Sequence, residues 1–180
     1  MFDLIVGQFF GIVAMVGTFI SYQANTKQRV LIVQTLATIL TCASYYFLDA
    51  KSGMVLNVIA VLRNVIFYFQ KEGTKLSYIT AFTLAGIMTV FGALSWQGWF
   101  SILVIVALAA NTVFLSLGNP QLLRKSILVT STMVLIYNCF VLSLGGIANE
   151  AIAIISSIIG IIRYVKLTKK QDKTENALLK

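Results

Sequence analysis

Gly53-Met54-Val55-Leu56-Asn57-Val58-Ile59-Ala60-Val61-Leu62-Arg63-Asn64-Val65-Ile66-Phe67-Tyr68-Phe69-Gln70 is an apolar run broken only by Asn57, Arg63 and Asn64 and closed by Gln70. At about 1.5 Å per residue, a helix over this run is close in length to a hydrocarbon layer about 30 Å thick. Polar and apolar residues do not alternate along it, and hydrocarbon offers no partner for backbone N–H and C=O, so a helix is predicted and a barrel strand is not. Arg63 lies about 10 Å from the nearer end of that helix. Inserting such a charge costs about 2.5–3.5 kcal/mol, so it must face other helices or a wet cavity and find partners there. Gln34, Ser21 and the carbonyl end of the first helix are suitable by depth.

The rest of the chain has the same character. Of its 180 residues, 58% are hydrophobic and 11% charged, with a mean hydropathy of +0.89. Apolar runs cover 2–21, 30–48, 53–70, 76–95, 99–118, 126–144 and 147–166. The expected fold is an all-α integral membrane protein of seven transmembrane helices. Roughly 40 residues remain for loops and tail once seven spans of about 20 are counted. The first run has neither a basic segment before it nor a small-residue cleavage site after it, so it is expected to be a retained helix. The sole proline, Pro120, is expected in a connection. Histidine is absent and the six acidic residues are unclustered, which leaves out zinc triads and His-based general bases. Neither enzyme activity nor a cofactor or metal is expected.

Short basic loops stay in the cytoplasm. Lys27, Arg29, Lys71, Lys75, Arg124, Lys125, Arg163, Lys166, Lys169, Lys170, Lys173 and Lys180 fall on one side, Lys51 falls on the other, and Arg63 lies within a span. The N-terminus is therefore expected outside and the C-terminus in the cytoplasm. Trp96, Trp99, Tyr45 and Tyr46 at one face, with Tyr68, Phe69 and Tyr164 at the other, suit interfacial belts. Topology accounts for the pI near 9.7, and no nucleic-acid partner is expected. The basic tail is read as an anchor to anionic lipid.

The loop lengths repeat. A longer basic connection follows the first and fifth runs, and a shorter glycine-containing or glycine-flanked one follows the second and sixth. Arg29 and Arg124, Asn57 and Asn149, and Tyr68 and Tyr164 occupy similar places in the two halves. Two parallel three-helix repeats, 1–70 and 99–166, are expected, joined by a linker helix within 71–98 and followed by a basic tail at 167–180. If the halves face one another, a solute meets the polar stripes of their third helices. These are Asn57, Val61, Asn64 and Tyr68 in one, and Asn149, Ala153, Ser156 and Gly160 in the other. Asn57, Asn149, Asn64 and Ser156 are the candidate solute-binding residues, since side-chain amides suit a neutral polyhydroxylated or amide-bearing molecule. Helix-to-helix hydrogen bonds are the structural alternative, at about 0.6 and at most about 2 kcal/mol each. Arg63 is a candidate gate or structural charge, and Glu150 a candidate coupling acid. Gly7 and Gly11 form a close-packing step, and Cys42 and Cys139 are read as small core residues.

Ser21-Tyr22-Gln23, Lys27-Gln28-Arg29, Tyr45-Tyr46-Phe47-Leu48, the stretch from Leu62-Arg63-Asn64 to Phe67-Tyr68, and Ile161-Ile162-Arg163-Tyr164 resemble the YgjV-type bacterial inner-membrane proteins, which have no assigned activity. The resemblance spans nearly the whole chain and implies a multi-pass protein of the bacterial inner membrane. The three-plus-one-plus-three architecture also resembles the SWEET sugar facilitators and the PnuC-type nicotinamide-riboside carriers. That likeness implies facilitated diffusion of a small solute by rocking of two three-helix bundles, with Asn57 and Asn149 matching the pocket asparagines of the SWEET pattern. The proline–glutamine hinge of that group is matched only by Pro120-Gln121, the first half having Tyr22-Gln23-Ala24. A passive transporter of a small polar metabolite is expected. The alternative is a non-transporting membrane protein whose polar residues only hold helices together. The expected partners are the lipid bilayer and the solute, and a homo-oligomer is compatible with the sequence.

Overall fold

The computed structural model describes residues 2–22, 27–71, 73–117 and 119–178, with side chains through residue 166 apart from those of 22, 27, 30, 120, 163 and 165. Seven helices follow one another: α1 (Phe2–Tyr22), α2 (Lys27–Phe47), α3 (Lys51–Phe69), α4 (Lys75–Leu94), α5 (Ser101–Ser116), α6 (Pro120–Phe140) and α7 (Leu144–Leu178). Phe2–Ser21, Lys51–Phe69, Lys75–Leu94 and Leu144–Ile162 are long and apolar enough to cross a membrane, while Leu31–Phe47 and Ser101–Ser116 are shorter apolar helices.

The helix ends depart from the apolar runs. Pro120 is the first residue of α6 and not part of a connection, because Asn119 caps the helix by accepting from the N–H groups of Gln121 (3.0 Å) and Leu122 (3.2 Å). Proline suits that position, where its missing N–H would have no helical partner. Arg124 and Lys125 end the apolar run but not the helix, since a charge alters hydropathy without interrupting backbone hydrogen bonds. Likewise α7 begins at Leu144 and its backbone remains helical to Leu178, so it takes in most of the segment read as a tail. Of the connection after α1, residues 23–26 lie outside the described residues, including Gln23 and Ala24 of the proposed hinge comparison.

Two turns share one construction. The α2–α3 turn has Asp49 at φ 53° and the α6–α7 turn has Leu142 at φ 55°. The following N–H groups, Ala50 and Ser143, donate back to Tyr45 O (2.9 Å) and Asn138 O (3.0 Å). This is the six-to-one bond that closes a helix through a left-handed residue. Asp49 and Leu142 are 93 residues apart, as are the first residues of α2 and α6, their last residues, and the first residues of α3 and α7.

Packing follows chain order around a ring. Contacts run α1 to α2, α2 to α3, α3 to α5, α5 to α6, α6 to α7 and α7 back to α1, while α4 packs outside the ring on α3 and α5. Leu56, Ile59, Leu84, Met88, Val104 and Ile105 form the apolar core at that three-helix junction. The outer surface is apolar, with Phe9, Ile12 and Phe19 exposed on α1 and Ile79, Phe82 and Val90 on α4, whereas Ser44, Asn64, Thr112, Ser131 and Asn138 are buried. Polar groups inside and apolar groups outside suit a bilayer. Tyr45 is only 2% exposed and belongs to the interior, not to an interfacial belt; Tyr46, Trp96 and Trp99 are exposed. Cys42 is partly buried but Cys139 faces outward.

The α1–α7 seam closes on two glycines. A Cβ added to Gly145 would run into the carbonyl of Gly11, whereas one added to Gly86 would meet nothing within 4 Å. Gly145→Ala is expected to force the helices apart and cost about 1–3 kcal/mol, the usual range for overpacking. Thermal melting of the detergent-purified variant should fall well below that of the parent, with Gly86→Ala as the variant that leaves it unchanged.

Candidate functional site

The six helices of the ring enclose a central cavity of about 340 Å³, to which α4 contributes no residue. Its wall repeats at the interval found in the turns. Gly11, Met15 and Thr18 of α1 are matched 93 residues later by Val104, Leu108 and Asn111 of α5; Thr38 of α2 is matched by Ser131 of α6; and Asn57 and Ala60 of α3 are matched by Glu150 and Ala153 of α7. The cavity extends from Ser143 and Gly145 near the α6–α7 turn to Leu31, Leu115 and Leu123 towards the opposite, basic end.

Hydroxyls in the wall satisfy themselves locally. Thr18, Thr38, Thr41 and Thr130 each donate to the carbonyl four residues earlier in their own helix, at 2.7–3.1 Å. Such a bond satisfies a hydroxyl in apolar surroundings without an external donor or acceptor. The Asn57 amide donates to Gly53 O at 2.8 Å, and that of Asn149 donates to Glu150 Oε1 at 3.1 Å. Ser131 faces the same carboxylate. Arg63 is 4% exposed and reaches the cavity wall. Its Nε and one terminal nitrogen donate to Asn64 Oδ1 (3.1 and 2.9 Å), and the other donates to Thr112 Oγ1 on α5 (3.2 Å). Neither Ser21 nor Gln34 is its partner, although Gln34 lines the same cavity.

At the short-turn end the helices are tied by side chains. Gln8 of α1 donates to Leu142 O and accepts from Leu144 N (2.9 Å). Gln97, between α4 and α5, donates to Asp49 O (2.6 Å) and accepts from Ser52 N (3.3 Å). Each glutamine grips one of the two equivalent turns. Between them, Tyr45 Oη donates to Asn138 Oδ1 (2.7 Å), and Tyr137 Oη accepts from Gly53 N (2.9 Å).

Asn57, Arg63, Asn149 and Glu150 therefore share one cavity. Asn64 does not line it, being fully buried under the Arg63 guanidinium. Ser156 is exposed on the outer face of α7, and Ser157 is the buried neighbour. On α3 the cavity face is 57, 60 and 63, not 57, 61, 64 and 68. Asn57 and Asn149 are 92 residues apart, one short of the structural interval, so the position matching Asn57 is Glu150. Thr18, Gln34, Thr38, Asn111 and Ser131 are wall residues that the polar stripes of α3 and α7 missed. Scanning the sequence at one fixed interval across all helix pairs would have brought up Thr18 with Asn111 and Thr38 with Ser131.

Residues 5–168 match the family Imp-YgjV, described as bacterial inner membrane protein. The chain belongs to that family. The Imp-YgjV match reaches into all seven helices and agrees with the apolar exterior. No match was found among curated proteins or among solved structures.

Within this Imp-YgjV chain, Asn64 accepts two of the three Arg63 bonds, so Asn64→Leu leaves a buried guanidinium without its main acceptor. The loss is expected to be about 1.5–3 kcal/mol, larger than for Thr112→Val, which removes one acceptor. Equilibrium unfolding of the two variants in the same detergent tests that order.

Proposed function

We propose that the protein is a passive carrier of a small polar metabolite, which it moves by alternating access and does not chemically alter. On this reading α1–α3 and α5–α7 are two parallel three-helix repeats, α4 is the linker, and all seven helices span the bacterial inner membrane. The N-terminus lies outside and the C-terminus in the cytoplasm, in keeping with the lysine and arginine distribution.

The observation that carries this reading is a cavity with a partly polar wall, formed by six helices whose lining residues recur at a 93-residue interval, with α4 left out. Further support comes from the seams. Among the described residues, α3–α5 and α7–α1 are the major contacts joining the halves side by side, and exchanging one half for the other turns each seam into its counterpart. Small sliding at two equivalent seams is enough to widen one end of such a ring while narrowing the other. The Gln8 and Gln97 clasps each cross a seam at the same end, as expected of a conformation closed towards the outside. Asn57 and Asn149 are assigned to solute contact, and Arg63 and Glu150 to the charged positions of the cavity wall, Arg63 nearer the basic end.

The intraprotein bonds of Asn57 and Asn149 favour a second reading, a scaffold with no cargo. The carrier reading expects Asn57→Ala with Asn149→Ala to abolish uptake while melting temperature and membrane level stay near those of the parent. The scaffold expects stability to fall and no uptake to lose. A thermal-shift screen of the purified protein against sugars, nucleosides, vitamins and amino acids supplies the cargo class, and a flat response throughout would sink the carrier reading.

A further inference from the structure

This inference rests on the carrier reading and narrows its cargo. The cavity holds one guanidinium and one carboxylate, Arg63 and Glu150, and among the described residues neither has an opposite charge as partner. Arg63 donates only to the neutral acceptors of Asn64 and Thr112, and Glu150 is met by the Asn149 amide and Ser131. A wall made of one positive and one negative group has no net formal charge but a strong dipole. It repels a simple anion at one end and a simple cation at the other, and it offers a neutral polyol no advantage for either charge.

The two groups lie at different levels of the cavity, so a solute meets them in succession along its length. Because α3 and α7 start at equivalent residues, Lys51 and Leu144, Arg63 lies as deep as residue 156 of α7. That is six residues beyond Glu150, or about 9 Å along the axis. Both helices run in the same direction, so both side chains lean towards the short-turn end, and the longer arginine shortens the separation.

We infer that the cavity binds a short zwitterion, an amino-acid-like molecule with adjacent ammonium and carboxylate groups, its ammonium towards Glu150 and its carboxylate towards Arg63. The amides of Asn57 and Asn149 flank the ammonium end, where their carbonyl oxygens are free to accept.

The test is uptake of radiolabelled alanine into proteoliposomes of the full chain, with unlabelled glycine, propionate, ethylamine and glycerol as competitors. Saturable alanine uptake is expected, with competition by glycine at least tenfold stronger than by the other three. Glu150→Gln should lower alanine uptake at least tenfold and admit propionate as a competitor, while Arg63→Lys should retain more uptake than Arg63→Gln. The wild-type competition series decides the matter where a variant fails to reach the membrane. Propionate competing as well as glycine, or labelled glycerol entering while alanine does not, overturns the zwitterion inference and leaves the carrier standing. Absence of transport for all these solutes, together with a flat thermal-shift screen, overturns both.

Discussion

Hydrocarbon contains nothing to hydrogen-bond with, and the rest of this structure depends on that constraint. Backbone groups satisfy it by forming helices. Threonines satisfy it by donating to the preceding turn of their own helix, as Thr35, Thr38 and Thr41 do along α2. Amides and the guanidinium carry more donors and acceptors than one such bond can satisfy, so they turn inward. Their inward placement determines which faces of α3, α5, α6 and α7 meet and leaves α4, whose buried residues are Ser77, Ala81, Leu84, Met88 and Gly92, to cover an apolar junction from outside.

The same constraint explains what could be read before the fold was known. Apolar runs mark helices because every one of them must bury its backbone polarity, so seven runs correspond to seven helices. Boundaries are harder. Hydropathy drops at Arg124, but a capped helix begins at Asn119-Pro120, where the signal is local hydrogen bonding. Sidedness is harder still. Ser156 and Ser157 are equally polar, and only contact with α6 and α1 selects the second for burial. Tyr45 looks like an interfacial tyrosine by its depth, but the Asn138 carbonyl that it reaches lies 93 residues away in sequence. No local pattern reports such a partner.

Sequence identity across the 93-residue interval is slight because most of the correspondence is carried by backbone. Asp49 and Leu142 share neither charge nor size, yet both take the left-handed conformation, and the bonds around them run between main-chain atoms. The glutamines that grip these turns come from different elements, the body of α1 and the α4–α5 connection. Two unrelated positions thus supply one chemical device, an amide that can donate to a carbonyl and accept from an N–H at once. A correspondence maintained in this way can lose its sequence signature and keep its geometry, which is why pairing Asn57 with Asn149 by residue type falls one position out of register.

The arrangement of charge bears on whether the cavity is there to be filled. A protein selected only for helix packing would gain by pairing its two intramembrane charges. At an effective permittivity of about 20, opposite charges attract by about 4 kcal/mol at 4 Å but only about 2 kcal/mol at 9 Å. Arg63 and Glu150 are nevertheless at different depths on opposite halves, each held by neutral hydrogen-bond partners. Those partners keep each group in place without neutralising it. On the carrier reading, the attraction that direct pairing would have contributed is left for a molecule lying between them, which would touch α3 and α7 at once. Because Arg63 reaches across the α3–α5 seam to Thr112, whatever draws the guanidinium towards the cavity also acts on that seam. On that reading, occupancy and the relative position of α3 and α5 are linked through one side chain.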